Sequence, residues 1–293
     1  MTGRTAGEQR TAAGPGEGHG RGPGAGPEAP AAAGTPREQR VWRLAGGLGM
    51  AVVLVLGGSQ AWAALVQQHT SSVKEYQRAA RVLVLDTGRA TVRIEPGRSD
   101  RVVVRTDLDW TLRQPEVSML WEDDVLRVSV SCNRLLDTGR FGCGTRLDVQ
   151  VPADTRVTGR NSSGHTEVRG LTGDVQLRTT SGSVRLAGLT GRLTVGSTSG
   201  VVRGEGLTSR AVEVDTASGT VDLAFAAAPD SVVASSTSGS LSLTVPAGSR
   251  YRFSGSAGSG GRSIDPVLAD SGSPRTIEGS TTSGSMTVQA ARP

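Results

Sequence analysis

Seven Ser-Gly pairs in the second half of the chain sit in one repeated setting, with apolar residues at fixed offsets on either side. They are Ser163-Gly164, Ser181-Gly182, Ser199-Gly200, Ser218-Gly219, Ser238-Gly239, Ser259-Gly260 and Ser283-Gly284, and the glycines lie 18, 18, 19, 20, 21 and 24 residues apart. A beat of this length marks a stack of like supersecondary units rather than a globule built around one pocket. Positions seven and five before each glycine, and two and four after it, are mostly apolar. Around Gly182 they are Val175, Leu177, Val184 and Leu186; around Gly219 they are Val212, Val214, Val221 and Leu223. Polar residues fill the positions between, which is strand alternation with one buried and one wet face. Glycine at the corner is expected to supply a backbone conformation closed to other residues.

A second corner follows half a unit later, at Gly170-Leu171-Thr172-Gly173, Gly188-Leu189-Thr190-Gly191 and Gly206-Leu207-Thr208-Ser209. Each unit therefore holds two short strands and two corners, a flattened β-coil with the corner leucine turned inward. Burying one Val or Leu contributes about 1.5–3 kcal/mol, so a coil offsets its own ordering only when neighbours cover it. The expected fold is all-β: a β-solenoid over 157–290 with an antiparallel β cap over 81–158. Cap strands are predicted near Val82–Leu85, Thr91–Ile94, Arg101–Arg105, Val117–Trp121, Leu126–Ser131 and Arg146–Val151, with Asp123-Asp124 at a hairpin tip. A two-sheet antiparallel sandwich is the alternative. Calcium-binding β-rolls also use short half-coils, but they need a carboxylate at each turn, and these corners carry Ser and Thr.

Ahead of the β-region, residues 1–40 are rich in Gly, Ala, Pro, Thr and Arg and cannot bury a core; they read as a disordered tail. Residues 41–66 read as a transmembrane anchor helix, because Leu44 to Leu65 are 22 residues without a charge. At 1.5 Å per residue that is about 33 Å, enough for a bilayer core of about 30 Å. Trp42 and Trp62 fall where two interfacial anchors belong, and residues 67–80 follow as a juxtamembrane linker. A cleaved signal peptide is the competing reading, since Ala61-Trp62-Ala63 has the small-x-small form. Both readings export the carboxyl-terminal domain.

Cys132 and Cys143 are the chain's two cysteines. They lie in phase with Leu126, Val128, Val130 and with Leu147, Val149, Val151, so two strands meeting through the loop 133–142 place both sulfurs on one face. A disulfide there would stabilise by up to about 3 kcal/mol and would persist outside the cytoplasm; two buried thiols are the other reading. Two cysteines without a nearby histidine make no metal site.

The net charge of +5 does not point to nucleic acid. Past residue 43 the chain carries 26 basic and 23 acidic residues, and aromatic residues are 3% of the whole, too few for base stacking. No nucleophile elbow, Walker loop or H-E-x-x-H occurs, and the histidines His19, His69 and His165 lack partners by sequence context. Neither a cofactor nor a metal is expected.

The corners Thr180-Ser181-Gly182-Ser183-Val184 and Thr198-Ser199-Gly200-Val201-Val202, with the turns Val151-Pro152-Ala153 and Val245-Pro246-Ala247-Gly248, resemble the bacterial putative-adhesin family of β-strand-repeat proteins. That domain has no established function. The resemblance covers roughly 70–290 and is strongest in 150–290. It implies one anchor helix before an extracytoplasmic β-domain, a role in adhesion or envelope stress, and no catalytic residue. The resulting expectation is a non-enzymatic, single-pass bacterial membrane protein whose exported domain engages an envelope protein or glycan. Binding residues are sought in the loops that break the beat: Asn133–Gly142, and Ser263–Pro274 with Asp265, Asp270 and Arg275 as its nearby charges. Tolerated surface insertions explain either loop equally well. The rival from another class is a carbohydrate-active enzyme on a β-solenoid, which would show carboxylates about 5–9.5 Å apart in an acidic groove.

Overall fold

The computed structural model describes residues 47, 49–50, 68–110, 114–131 and 144–292. The chain divides into two compact units, 1–58 and 59–293. In the first, Gly47, Gly49 and Met50 are helical. The rest of the expected anchor, including Trp42 and Trp62, lies outside the described residues, as do Cys132, Cys143 and the loop between them. Among the described residues no helix is long and apolar enough to cross a membrane.

The second unit is all β. Its amino-terminal strands are β1 (Gln68–Tyr76), β2 (Val82–Asp86), β3 (Thr91–Pro96), β4 (Val102–Trp110), β5 (Glu116–Glu122), β6 (Val125–Ser131) and β7 (Gly144–Val151). The middle strands are β8 (Arg156–Asn161), β9 (His165–Arg169), β10 (Val175–Thr179), β11 (Ser183–Ala187), β12 (Leu193–Ser197), β13 (Val201–Leu207), β14 (Ala211–Thr216), β15 (Thr220–Phe225), β16 (Ser231–Ser236) and β17 (Ser240–Val245). Then come β18 (Arg252–Ser254), β19 (Arg262–Ile264), a 3₁₀ turn at Pro266–Leu268, β20 (Thr276–Thr281) and β21 (Ser285–Ala290).

Successive strands of a coil alternate between two sheets. One sheet has eleven strands in the order β1-β4-β7-β3-β9-β11-β13-β15-β17-β21-β19, and the other has ten in the order β18-β20-β16-β14-β12-β10-β8-β2-β6-β5. From β8 to β17 every lateral pairing is parallel: Val184 pairs with Val202, and Val202 with Val221. The antiparallel sandwich is therefore excluded over the repeat, and the flattened coil stands. Inward positions fill the space between the sheets, with Val175, Leu177, Val184, Leu186, Leu193 and Val195 all buried, and the corner leucines Leu171, Leu189 and Leu207 buried beside them.

Two features depart from the sequence reading. The antiparallel pairing expected over 81–158 holds for β4 with β7 and for β5 with β6. However, β2 pairs in parallel with β6 and β8, and β3 with β7 and β9. Those two strands are a true coil whose corner, Thr87-Gly88-Arg89-Ala90, lacks the Ser-Gly pair. It closes instead through Ala90 N–H to the Thr87 carbonyl, 2.8 Å, and a positive φ of 51° at Gly88. Residues 67–80, expected as a linker, contain β1, which pairs antiparallel with β4 along its whole length.

The second departure is spatial order. Each end of the stack is built out of sequence. The coil β6/β7 lies outside β2/β3, and at the far end β20/β21 are inserted between β16/β17 and the outermost coil β18/β19. Gly260, which precedes Gly284 in sequence, therefore sits beyond it in space.

Candidate functional site: the Ser-Gly edge

The repeated corners align into one long edge. Three residues before six of the seven corner glycines stands a buried polar side chain: Asn161, Thr179, Ser197, Thr216, Ser236 and Thr281; Gly260 has Ala257 there. Four of the six cap their own corner. The N–H of Gly164 donates to Asn161 Oδ1 at 2.7 Å, and those of Gly182, Gly200 and Gly219 donate to Thr179 Oγ1, Ser197 Oγ and Thr216 Oγ1 at 3.0 Å. A buried amide is thus satisfied inside its own coil. Between coils the corner backbones hydrogen-bond directly: Ser181 N–H to the Ser162 carbonyl at 2.7 Å, then Ser199 to Thr180, Ser218 to Thr198 and Ser238 to Ala217, each 2.8 Å.

That stacking, and not an unusual φ, is what requires glycine. None of the corner glycines has a positive φ. Instead, the carbonyl oxygen of the glycine one coil below occupies the space a Cβ would take at Gly182, Gly200, Gly219 and Gly239. The expected reason belongs to the second corner, where Gly170, Gly188 and Gly206 have φ near +60° and a Cβ on Gly188 or Gly206 would meet only open space.

Facing solvent, the edge carries parallel columns of small polar residues. Ser181, Ser199, Ser218, Ser238 and Ser283 are exposed, as are Thr220, Ser240 and Ser285 one position past the glycine. Ser285 Oγ donates to Ser240 Oγ at 3.4 Å, and lower on the same column His165 Nδ1 lies 2.6 Å from Ser183 Oγ. Near the carboxyl-terminal end the edge becomes concave. A groove of about 430 Å³ is lined by Ser218–Thr220, Ser238–Ser240, Gly260, Gly261 and Ser283–Ser285. Its lining holds hydroxyls and backbone amides and no ionisable side chain.

The three charges sought in the last excursion do not converge there. Asp265 accepts from Val267 N–H at 3.1 Å and caps the 3₁₀ turn; Asp270 Oδ1 accepts from Gly272 N–H at 2.9 Å. Arg275 lies 3.9 Å from Asp230, and its N–H donates to Ser273 Oγ at 3.2 Å. They fold a surface excursion over the buried Tyr251 and Leu268. Asp123, with φ of +48°, turns the β5–β6 hairpin, and Asp124 pairs with Arg78 and Arg81.

On the outer face of the eleven-stranded sheet one carboxylate is buried. Glu167, 7% exposed, lies 3.0 Å from Arg93 Nε and 2.7 Å from Arg169 Nε. Burial works to raise its pKa, but the two guanidinium hydrogen bonds and their charge prevail and hold it below the ordinary carboxylate range. Among the described residues no three of His, Cys, Asp and Glu cluster closely enough to hold a metal.

Sequence reasoning found the corners but missed the buried polar column that caps them. Its signal is legible as Asn, Thr or Ser three residues before the glycine, a short-range cap rather than a surface hydroxyl.

Residues 153–292 match the family model described as Toastrack DUF4097, a domain of unknown function. No curated protein matches the chain. Among solved structures the chain is similar to a putative lipid binding protein from Parabacteroides distasonis and to a putative adhesin from Bacteroides fragilis. Each is 13% identical, covers 76% of this chain and 97% of its own, and has a TM-score of 0.45. A putative cell adhesion protein from Clostridium sporogenes, 10% identical, covers 76% of this chain and all of its own at a TM-score of 0.39.

Proposed function

We propose that this chain is a non-enzymatic, membrane-anchored protein whose exported β-coil binds a neutral, hydroxyl-rich polymer of the cell envelope along its Ser-Gly edge. The observation that carries this reading is the groove lining: Ser, Thr and Gly from four coils, with backbone amides and hydroxyls as its polar groups. Such a surface offers many weak, direction-tolerant hydrogen bonds to a polyol and no charge to attract an ion. It also lacks the carboxylate pair that glycoside hydrolysis requires. The charge-free stretch 44–65 supports an anchor, and the expected Cys132–Cys143 disulfide supports a carboxyl-terminal domain outside the cytoplasm.

Purified wall glycans immobilised on beads test the binding. The full-length protein is expected to be retained saturably, with Ser240→Glu or Thr220→Glu reducing retention at least tenfold while the melting curve is preserved. Reproducible glycan cleavage abolished by a single Asp substitution would overturn the reading. Protease shaving of intact cells checks the topology, since a carboxyl terminus protected from added protease would contradict it.

A further inference from the structure

Charge is unevenly spread along the stack. Residues 153–210 carry eight arginines and four acidic residues, whereas 211–249 carry four acidic residues and no lysine or arginine. On the outer face of the ten-stranded sheet this division falls in register. One row runs Asp86, Arg160, Arg178, Gly196, Asp215, Ser235, Ser280 across β2, β8, β10, β12, β14, β16 and β20. The adjacent row is Val84, Thr158, Gln176, Thr194, Glu213, Val233, Glu278. The centre, Thr194 and Gly196 on β12, is uncharged and low. Arg160 and Arg178 stand side by side and exposed, an arrangement that costs stability unless an anion covers it.

We infer that this face docks onto the same face of a second copy of the chain, about a two-fold axis lying along β12. The axis brings β10 opposite β14 of the second copy. Arg178 then meets Asp215 of the other chain, twice, and Gln176 meets Glu213. Arg160 falls opposite Ser235, beside the same Asp215, and Thr158 meets the exposed Val233. Arg192, on the axis, faces its own mate, but each lies next to an Asp174, whose Oδ1 already accepts from the Arg192 N–H at 3.1 Å. A surface that pairs with itself this way forms a closed dimer. Seven strands at about 4.8 Å and five residues at about 3.3 Å give about 550 Å² per copy. The total, near 1,100 Å², clears the roughly 1,000 Å² of a weak specific interface.

Full-length protein carrying Thr194→Cys tests this with a short bis-maleimide cross-linker, using the chain without that change as control. A cross-linked dimer is expected at low salt, fading as salt rises. Arg178→Asp alone and Asp215→Arg alone should each cut its yield at least tenfold, and the two together should restore it. Arg178 and Asp215 are exposed and Thr194 is half-buried, and unchanged melting curves confirm that folding is intact. Absence of the Thr194→Cys dimer, or a yield indifferent to the single reversals, would overturn the inference. So would failure of the double reversal to restore it. A monomer retained on a phosphate-bearing polymer through Arg178 would assign the face to an anionic ligand instead.

Discussion

Between β8 and β17 each coil is laid directly on the one before it; at both ends of the stack it is not. In the middle, partners across a rung are 18 to 20 residues apart in sequence, as with Ser183 and Val201 or Thr220 and Ser240. At the carboxyl-terminal end Ser240 pairs with Ser285, across an intervening coil that ends up outermost. Loop-closure entropy barely opposes this, because stretching a closure from about 20 to 45 residues costs about 0.7 kcal/mol. A single buried leucine outweighs that. Sequence period therefore reports the chemistry of a coil and leaves its place in the stack undetermined.

The ends also differ in how they meet solvent. The last coil presents β18 and β19, three residues each, and the first end turns antiparallel through β4, β1 and β5. A long parallel edge would template pairing with other chains; short or reversed edge strands blunt it. The middle maximises repetition, and the ends stop it.

The largest expected effect breaks the middle. Leu189→Asp places a charge in a corner position 1% exposed and should abolish the cooperative melting transition. The matching change at the end, Leu268→Asp, should leave that transition in place and strip hydrogen-exchange protection from β18 and β19. Equal outcomes for the two would show that ends and middle form one cooperative unit.

The two kinds of glycine separate next. Gly200→Ala drives a Cβ into the Gly182 carbonyl and should cost about 1–3 kcal/mol by denaturant titration. Gly188→Ala meets open space at a φ of +59°, so only the left-handed backbone is penalised, about 1 kcal/mol.

Glu167 gives a pH signature. Its folded-state pKa lies below the ordinary value, so the carboxylate stabilises the fold at neutral pH. That contribution is lost as pH falls from about 4.3 towards the folded pKa. Glu167→Gln should remove about 1–2 kcal/mol at pH 7 and flatten the acid limb of a stability–pH profile.

The smallest contrast lies within the buried polar column. Thr216→Val leaves the Gly219 N–H unpaired and should cost about 1 kcal/mol. Ser236 Oγ is buried without a hydrogen-bond partner, so Ser236→Ala should change stability by less than about 0.5 kcal/mol.

These contrasts also show what was legible in the sequence. The alternation of Val212, Val214, Val221 and Leu223 announced two strands and a buried face, because side-chain period is a local property. The turn at Asp86-Thr87-Gly88 was legible from its residues, but its role as a coil corner was not, because a positive φ at Gly88 does there what a Ser-Gly corner does elsewhere. Gly260 and Gly284 were legible as corners yet not as neighbours in the wrong order, since spatial order depends on which edge each coil covers. Asp265 and Asp270 drew attention as charges in a loop, but their carboxylates are occupied by backbone amides two residues on, a local cap that charge alone does not reveal. The uncharged groove escaped notice because nothing in Ser and Gly marks a surface until four coils bring them together.

The order of coils at the carboxyl-terminal end tests this account most directly. Ser242 pairs with Thr287, and Thr287 pairs in turn with Ser263. Paired cysteines at 242 and 287 should form a disulfide under mild oxidation, because adjacent strands bring their Cα atoms within bridging reach. Cysteines at 242 and 263, two strand spacings apart, should not. A bridge between 242 and 263, with none between 242 and 287, would restore sequential stacking and contradict the inserted coil.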